Sequence, residues 1–386
     1  MYKTEESRLE ELGASITVGE VYQQPQLWEE VLKIYEDNLE EIEKFLDLVS
    51  KEKNRVKVIF TGAGTSAYVG DIVERHLMKI SNRNLDFEAI ATTDLVSNPY
   101  DFFTKDETTL LVSFARSGNS PESLKAVELA NQIVDDIYHL AITCAADGKL
   151  ATGLKEETNA LTLLMPEPSN DQGFAMTGSF SCMLLMSELI FDNSLDLAEK
   201  KSRVQEIVRL GREVIEREEE IQKIVDLDFN RVVYLGSGPI GAFTREAQLK
   251  ILELTAGQIA TCFDTSMGFR HGPKSFVDEK TLVFDFISNN DYTKLYDLDI
   301  LNEVNENNIA RGVIGVSYGE VKGDYRKFNL SKDGELEDVF LVFPYAIFAQ
   351  TVAIMASLKV NNKPDTPSAS GTVNRVVKGV IIHPYE

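Results

Sequence analysis

Thr65 and Ser66 directly follow Gly62-Ala63-Gly64 at the end of the apolar run VKVIFTG, and a helical pattern continues from Ala67 to Ile80. Glycines at a strand end let the backbone turn tightly into a helix, whose free N–H groups can hold an anion. The same glycines serve an ordinary packing turn equally well. The stretch lacks the Gly-Lys-Ser/Thr of a P-loop and the spacing of a dinucleotide fingerprint. A second run, LLVSFA, ends in Arg116-Ser117-Gly118-Asn119-Ser120-Pro121 and leads into another helical pattern. Ser120 suits an N-cap and Pro121 a first helical position. One cap uses one side chain, so the surplus of hydroxyls at two strand ends suits the acceptor oxygens of a phosphate monoester. A third stretch, from Arg245 to Pro273, holds carboxylate, ammonium and imidazole, groups that transfer protons. Lys250 and Glu253 are three apart and share a helix face; on a solvated surface such a pair is worth only about 0.2–0.5 kcal/mol. Of the four histidines, His271 alone is presented by a Gly-Pro loop, where a side chain can reach into a cleft, although a lone histidine is more often structural. No His/Cys/Asp/Glu group has metal-ligand spacing, which fits a phosphate ester better than a nucleotide carried with magnesium.

The elements that must position these residues alternate between strand and helix. VKVIFTG, FEAIAT, TLLVSFA, YHLAITC and NALTLLM read as buried strands separated by helical or turn-like sequence, the pattern of an α/β fold with a mainly parallel sheet. A second cycle begins at RVVYLGSGPIGAF and continues through TLVFDFI, GVIGVSY and VFLVF. Gly62 and Gly236, and Gly64 and Gly238, share one offset of 174 residues (236 − 62), so the unit reads as duplicated. Trp28, Val31, Leu32, Tyr35, Leu39, Ile42, Leu46 and Val49 predict one helix over Gln26–Lys53, preceded by an arm of uncertain order. The charged stretch Ala198–Val225 predicts a helix that could bridge two domains, and the Pro/Asn/Ser-rich stretch 361–370 a loop. Val339 to Leu358 is 20 residues without a charge; Pro344 divides it into a buried strand and a buried helix, a better reading than a membrane span.

The chain has 386 residues, 43% of them hydrophobic and 26% charged, enough for two or three domains with large cores. Its net charge of −23 disfavours nucleic acid as a partner and requires that any anionic substrate be held by a local positive field. The three scattered cysteines exclude a zinc ribbon or a disulfide framework and indicate a cytoplasmic protein. The N-terminus MYKTEESRLEELG lacks the apolar core of a signal peptide.

Taken together, GAGTS, ARSGNS and the stretch Arg245–Pro273 resemble the SIS (sugar isomerase) domain in tandem. The second half resembles the isomerase part of glucosamine-6-phosphate synthase. The whole chain, through NDQGFAMTGSFS (170–181) and SGTVNRVVKGV (370–380), resembles more closely the AgaS family of galactosamine-6-phosphate deaminase/isomerases, also described as tagatose-6-phosphate ketose/aldose isomerases. The resemblance implies two SIS domains, each a mainly parallel sheet in a flavodoxin-like three-layer arrangement. They are expected at 37–197 and 198–386, the second carrying the tail, after an arm and helix start at 1–36. It implies that Ser66, Ser117 and Ser120 hold a sugar phosphate, with Gly64, Thr65, Arg116, Thr177 and Arg375 at the same site; Lys378 is the other candidate in the tail. Glu253 would move a proton between carbons 1 and 2, Lys250 would assist at the substrate oxygen or nitrogen, and His271 would open the sugar ring. His271 would reach in from a neighbouring subunit, which implies a homodimer or a dimer of dimers. No cofactor and no metal are expected. Ala115 stands where the synthase has a serine, and no glutaminase domain with a leading Cys precedes Met1, so the chemistry is expected to run toward ammonia release. Aldose–ketose isomerisation without deamination, and galacto against gluco configuration, stay open at this level. A sugar-phosphate-binding regulator is the rival from another class; it would be expected to lack the Lys250, Glu253 and His271 set that this chain keeps.

Overall fold

Residues 1–80, 84–371, 373–375 and 379–385 are described by a computed structural model of the chain. Five strands, β1 (Val56–Thr61), β2 (Leu85–Ala89), β3 (Thr109–Ala115), β4 (Ile137–Thr143) and β5 (Ala160–Leu164), pair in parallel in the order β2-β1-β3-β4-β5. Five more, β6 (Arg231–Gly236), β7 (Ala260–Thr265), β8 (Thr281–Phe286), β9 (Gly312–Tyr318) and β10 (Arg326–Leu330), form a second parallel sheet in the order β10-β9-β8-β6-β7. From its other edge the second order is β7-β6-β8-β9-β10, the first order repeated, so the offset in the sequence is a duplicated topology. The glycine turns match as well. Gly64 and Gly238 have φ of 59° and 57°. A Cβ on Gly62 would lie 2.6 Å from the Ser66 backbone, and one on Gly236 2.9 Å from Ile240, so both strand ends need glycine for the helix to start there.

The chain divides into two compact units. One comprises Gln26–Asp171, Met176–Lys201 and Asn374–Glu386, and the other Met1–Pro25, Gln172–Ala175 and Ser202–Val373. In the first, β1 and β3 are buried throughout, as central parallel strands covered on both faces must be. Phe60 meets Phe191 of helix Gly178–Phe191 edge-on at 5.3 Å on one face. Ile59 and Leu111 pack with Ala126 and Leu129 of helix Pro121–Ile133 on the other. In the second unit, Phe286 stacks on Tyr234 and Tyr345 and packs against Phe243, while Val233 and Val283 meet Ile300, Leu301 and Val304 of helix Asp291–Glu306.

Several elements differ from their sequence reading. VFLVF is not a strand: Asp338–Lys359 is a single helix with Pro344 inside it. A proline in a helix interior costs about 3 kcal/mol. The helix buries every side chain from Val339 to Ser357, and each large apolar one contributes about 1.5–3 kcal/mol, so burial wins. This helix is long and apolar enough to cross a membrane, but its apolar stretch from Val339 to Ser357 is buried in the protein. The leading arm is ordered as helices Glu6–Leu12 and Ser15–Tyr22. The predicted helix 26–53 is two, Gln24–Asp37 and Leu39–Ser50, and the charged stretch 198–225 is also two, Leu197–Glu216 and Glu218–Val225. Strands β7 and β10 were not expected. They are the edges of the second sheet, and β7 mixes exposed and half-buried residues instead of forming an apolar run.

Candidate active site

Parallel strands bring the turns after their C-terminal ends to one edge of a sheet, and in the first unit β1 and β3 are neighbours there. A cavity of about 110 Å³ opens at this edge, lined by Ala63 and Ser66, by Phe114 through Gly118, by Ser120 and Ser123, and by Met176 and Arg375. Gly118, at φ 63°, turns the chain so that its carbonyl accepts Leu150 N at 2.9 Å. Ser120 occupies the N-cap position and Pro121 the first helical position, as expected, but the Ser120 hydroxyl does not cap the helix. It pairs with the Ser123 hydroxyl at 2.7 Å, and the Ser66 hydroxyl faces the Met176 sulfur at 3.8 Å. Ser123 and Met176 were missed from sequence. Ser123 could have been found as the hydroxyl one helical turn after Ser120; nothing in its spacing marks Met176. Arg116 Nη2 donates to the carbonyl of Arg375 at 2.7 Å, and the Arg375 guanidinium donates through Nε and Nη2 to the carbonyl of Asp171.

The structure thus gathers Ser66, Arg116, Ser117, Ser120 and Arg375 around one cavity. Gly64 and Thr65 begin the adjoining helix and do not line it. Thr177 does not line it either: its backbone N–H and hydroxyl both go to the Asp171 carboxylate at 2.9 Å. Lys378 lies outside the described residues.

The duplicated turns of the second unit are already filled. Ser237, at the N-cap of helix Gly238–Leu254, donates to Asp297 at 2.6 Å, and Ser288, two residues beyond β8, donates its N–H to the same carboxylate at 2.9 Å and its hydroxyl to Asp338 at 2.5 Å. Asp285 on β8 accepts from Ser266. Burial, then the Asp297 charge, push the Asp285 carboxyl well above the usual carboxylate range despite the Ser266 bond. Burial likewise raises Asp297. Where the first unit lines its cavity with hydroxyls and arginines, the second fills its turns with its own carboxylates.

Helix Gly238–Leu254 carries Lys250 and Glu253, and the pair is not on a solvated surface. Lys250 is 1% exposed, with its Nζ 2.8 Å from Glu253 and 3.2 Å from Glu246. Burial by itself would lower the Lys250 pKa; the two carboxylates outweigh it and raise the pKa, so this side chain is an ammonium donor and not a base. Glu253 is partly open, its side chain 23% exposed. His271 is exposed at the end of the turn Gly268–His271. Phe269 is buried beneath it, and Arg270 and Lys274 on either side of it both bond Glu303 of helix Asp291–Glu306. Gly272, at φ 132°, adopts the backbone that joins this turn to Pro273.

Among the described residues, tertiary structure also assembles a His/Glu/Asp group that the sequence spacing hid. His76 Nε2 lies 3.0 Å from Asp192 and 3.8 Å from Glu188, at the opposite end of helix Thr65–Leu77 from Ser66. His139 is a core residue bonded to Asn131, its pKa lowered to about 4 by burial.

Residues 52–191 match the SIS domain family. The chain is 42% identical to the D-galactosamine-6-phosphate deaminase AgaS of Escherichia coli, over 96% of this chain and 96% of that protein. Among solved structures, a tagatose-6-phosphate ketose/aldose isomerase from Escherichia coli matches with a TM-score of 0.87 and 38% identity over 96% of both chains. A chain from Clostridium novyi NT, described as a candidate tagatose-6-phosphate ketose/aldose isomerase, matches with a TM-score of 0.93 and 46% identity over 100% of this chain and 99% of that one.

Proposed function

Because the chain belongs to the AgaS family of SIS-domain proteins, we propose that it is a D-galactosamine-6-phosphate deaminase that yields tagatose-6-phosphate and ammonia. The observation that carries this reading is the full-length likeness to a protein of that name. The substrate phosphate is held by the hydroxyls of Ser66, Ser117 and Ser120 with the charges of Arg116 and Arg375. His271 moves the ring proton and gives the open-chain aldehyde. Glu253 takes the proton from carbon 2 and delivers it to carbon 1, which needs a base held close and oriented. The electron pair of the broken C–H bond forms the enolic double bond between carbons 1 and 2 while the aldehyde oxygen takes up a proton. As carbon 1 is then protonated the amine gives up one N–H proton, so carbon 1 becomes an alcohol carbon, carbon 2 is left as a ketimine, and the proton count is unchanged. Water adds to the ketimine and ammonia leaves, giving the ketose. The Lys250 ammonium donates to the developing oxygen charge. His271, exposed on its braced turn, serves the site of a neighbouring subunit, and the working form is a homodimer or a dimer of dimers.

With a hydroxyl in place of the amine, the same steps give a plain aldose–ketose isomerisation, a reading favoured by the name of the solved relative at 38% identity. Incubation of the protein with galactosamine-6-phosphate, glucosamine-6-phosphate and tagatose-6-phosphate separates the two. Ammonia and ketose phosphate from galactosamine-6-phosphate alone are expected. Turnover of tagatose-6-phosphate with no ammonia from either amino sugar would replace deamination by isomerisation.

A further inference from the structure

The stretch NDQGFAMTGSFS has no part in the proton transfers above, yet its Met176 lines the phosphate cavity. Its second residue, Asp171, is fully buried. Its carboxylate gathers the backbone N–H groups of Thr177, Gly178 and Ser179 and the hydroxyls of Thr177 and Ser179, so both oxygens are committed. A helix cap requires two or three of these bonds; five fix the loop from 171 to 179 in one shape. That shape aims the Asp171 carbonyl at Arg375, which meets it with two guanidinium nitrogens, Nε at 3.0 Å. The carbonyl of Arg375 in turn accepts Arg116 Nη2 at 2.7 Å.

The kind of acceptor matters. Arg8, Arg55, Arg203, Arg217, Arg231 and Arg270 each bond or approach a carboxylate, which cancels their charge locally. The Arg375 guanidinium instead donates to a neutral carbonyl, which fixes its direction and leaves its charge for an incoming anion. In a chain of net charge −23 this preserves a positive field at the cavity.

We propose that Asp171 is a positioning residue for the substrate phosphate: its carboxylate locks the loop whose carbonyl aims Arg375 at the cavity, and Arg375 in turn orients Arg116. This rests on the reading of the cavity as the phosphate site. The test is a double-mutant cycle between Asp171→Asn and Arg375→Ala, with KM for galactosamine-6-phosphate and the inhibition constant of inorganic phosphate as readouts and thermal midpoints recorded alongside. Each single variant is expected to weaken both constants by about ten- to a hundred-fold, the loss of one charge-assisted contact, with kcat changed much less. The double variant is expected to be no weaker than the worse single one. Multiplicative effects would show that Asp171 acts on binding independently of Arg375, and an Asp171→Asn change confined to the thermal midpoint would show that it acts only on stability; either would overturn the inference while leaving the phosphate site in place. Unchanged constants in Arg375→Ala would overturn the assignment of Arg375 to the phosphate and the inference with it. Should Asp171→Asn not fold, Thr177→Val removes one of the five bonds: a smaller weakening that Thr177→Ser restores and that Arg375→Ala abolishes carries the same conclusion, and no weakening refutes it.

Discussion

Replacing Glu253 by Gln separates the chemistry from the scaffold. Glu253 accepts from Lys250 Nζ at 2.8 Å, and Glu246 lies 3.2 Å from the same nitrogen. An amide at 253 still offers an oxygen to the ammonium, and Lys250 keeps Glu246 as its counter-charge. The stability cost is therefore that of turning one charge-assisted hydrogen bond into a neutral one, about 1 kcal/mol. A positioned base contributes roughly 10²–10⁴-fold to a proton transfer, or about 2.7–5.4 kcal/mol of barrier. The second figure is well above the first, so the variant is expected to stay folded with kcat reduced at least a hundred-fold. Inhibition by inorganic phosphate should be unchanged, because no lining residue of the hydroxyl cavity is altered. The assay measures ammonia and ketose phosphate from galactosamine-6-phosphate, with deuterium uptake at carbon 1 in heavy water reporting the transfer itself. A kcat within fivefold of the parent, at unchanged stability, would refute Glu253 as the base.

Two further outcomes follow from buried charges. Lys250→Met takes the cation from the buried Glu246 carboxylate and should cost about 3–5 kcal/mol of stability, read from the urea midpoint; adding Glu246→Gln should recover much of it, and a Lys250→Met protein as stable as the parent would contradict the buried pair. Asp285 has its folded pKa raised, so its protonated form favours folding below the unfolded carboxylate pKa of about 3.9, and that contribution is lost as pH rises toward the folded value. Asp285→Asn should therefore gain stability over the parent as pH rises, by up to about 1.4 kcal/mol per unit, in urea titrations at pH 5, 7 and 8; a difference independent of pH would show that Asp285 does not hold its proton in the folded protein.

The α/β class, the duplicated unit and most of the strands are legible in the residues alone. The central strands of a parallel sheet are covered on both faces and read as unbroken apolar runs ending in glycine. The residue pattern also marked Ser66, Ser117 and Ser120, because hydroxyls at strand ends exceed what helix capping needs. Local pattern failed where burial erased it. A helix buried all round, such as Asp338–Lys359, has no polar face to reveal its period, so its first turns looked like a strand, while the half-exposed edge β7 never formed an apolar run. Only tertiary structure decided that Lys250 is buried between two carboxylates, since spacing gives a shared helix face but not what covers it. Only tertiary structure, too, brought Arg116, Asp171 and Arg375 into one hydrogen-bonded chain and filled the duplicated turns with Asp297 and Asp338. Those partners lie far apart in sequence, and no local pattern records which strand end will meet a distant side chain.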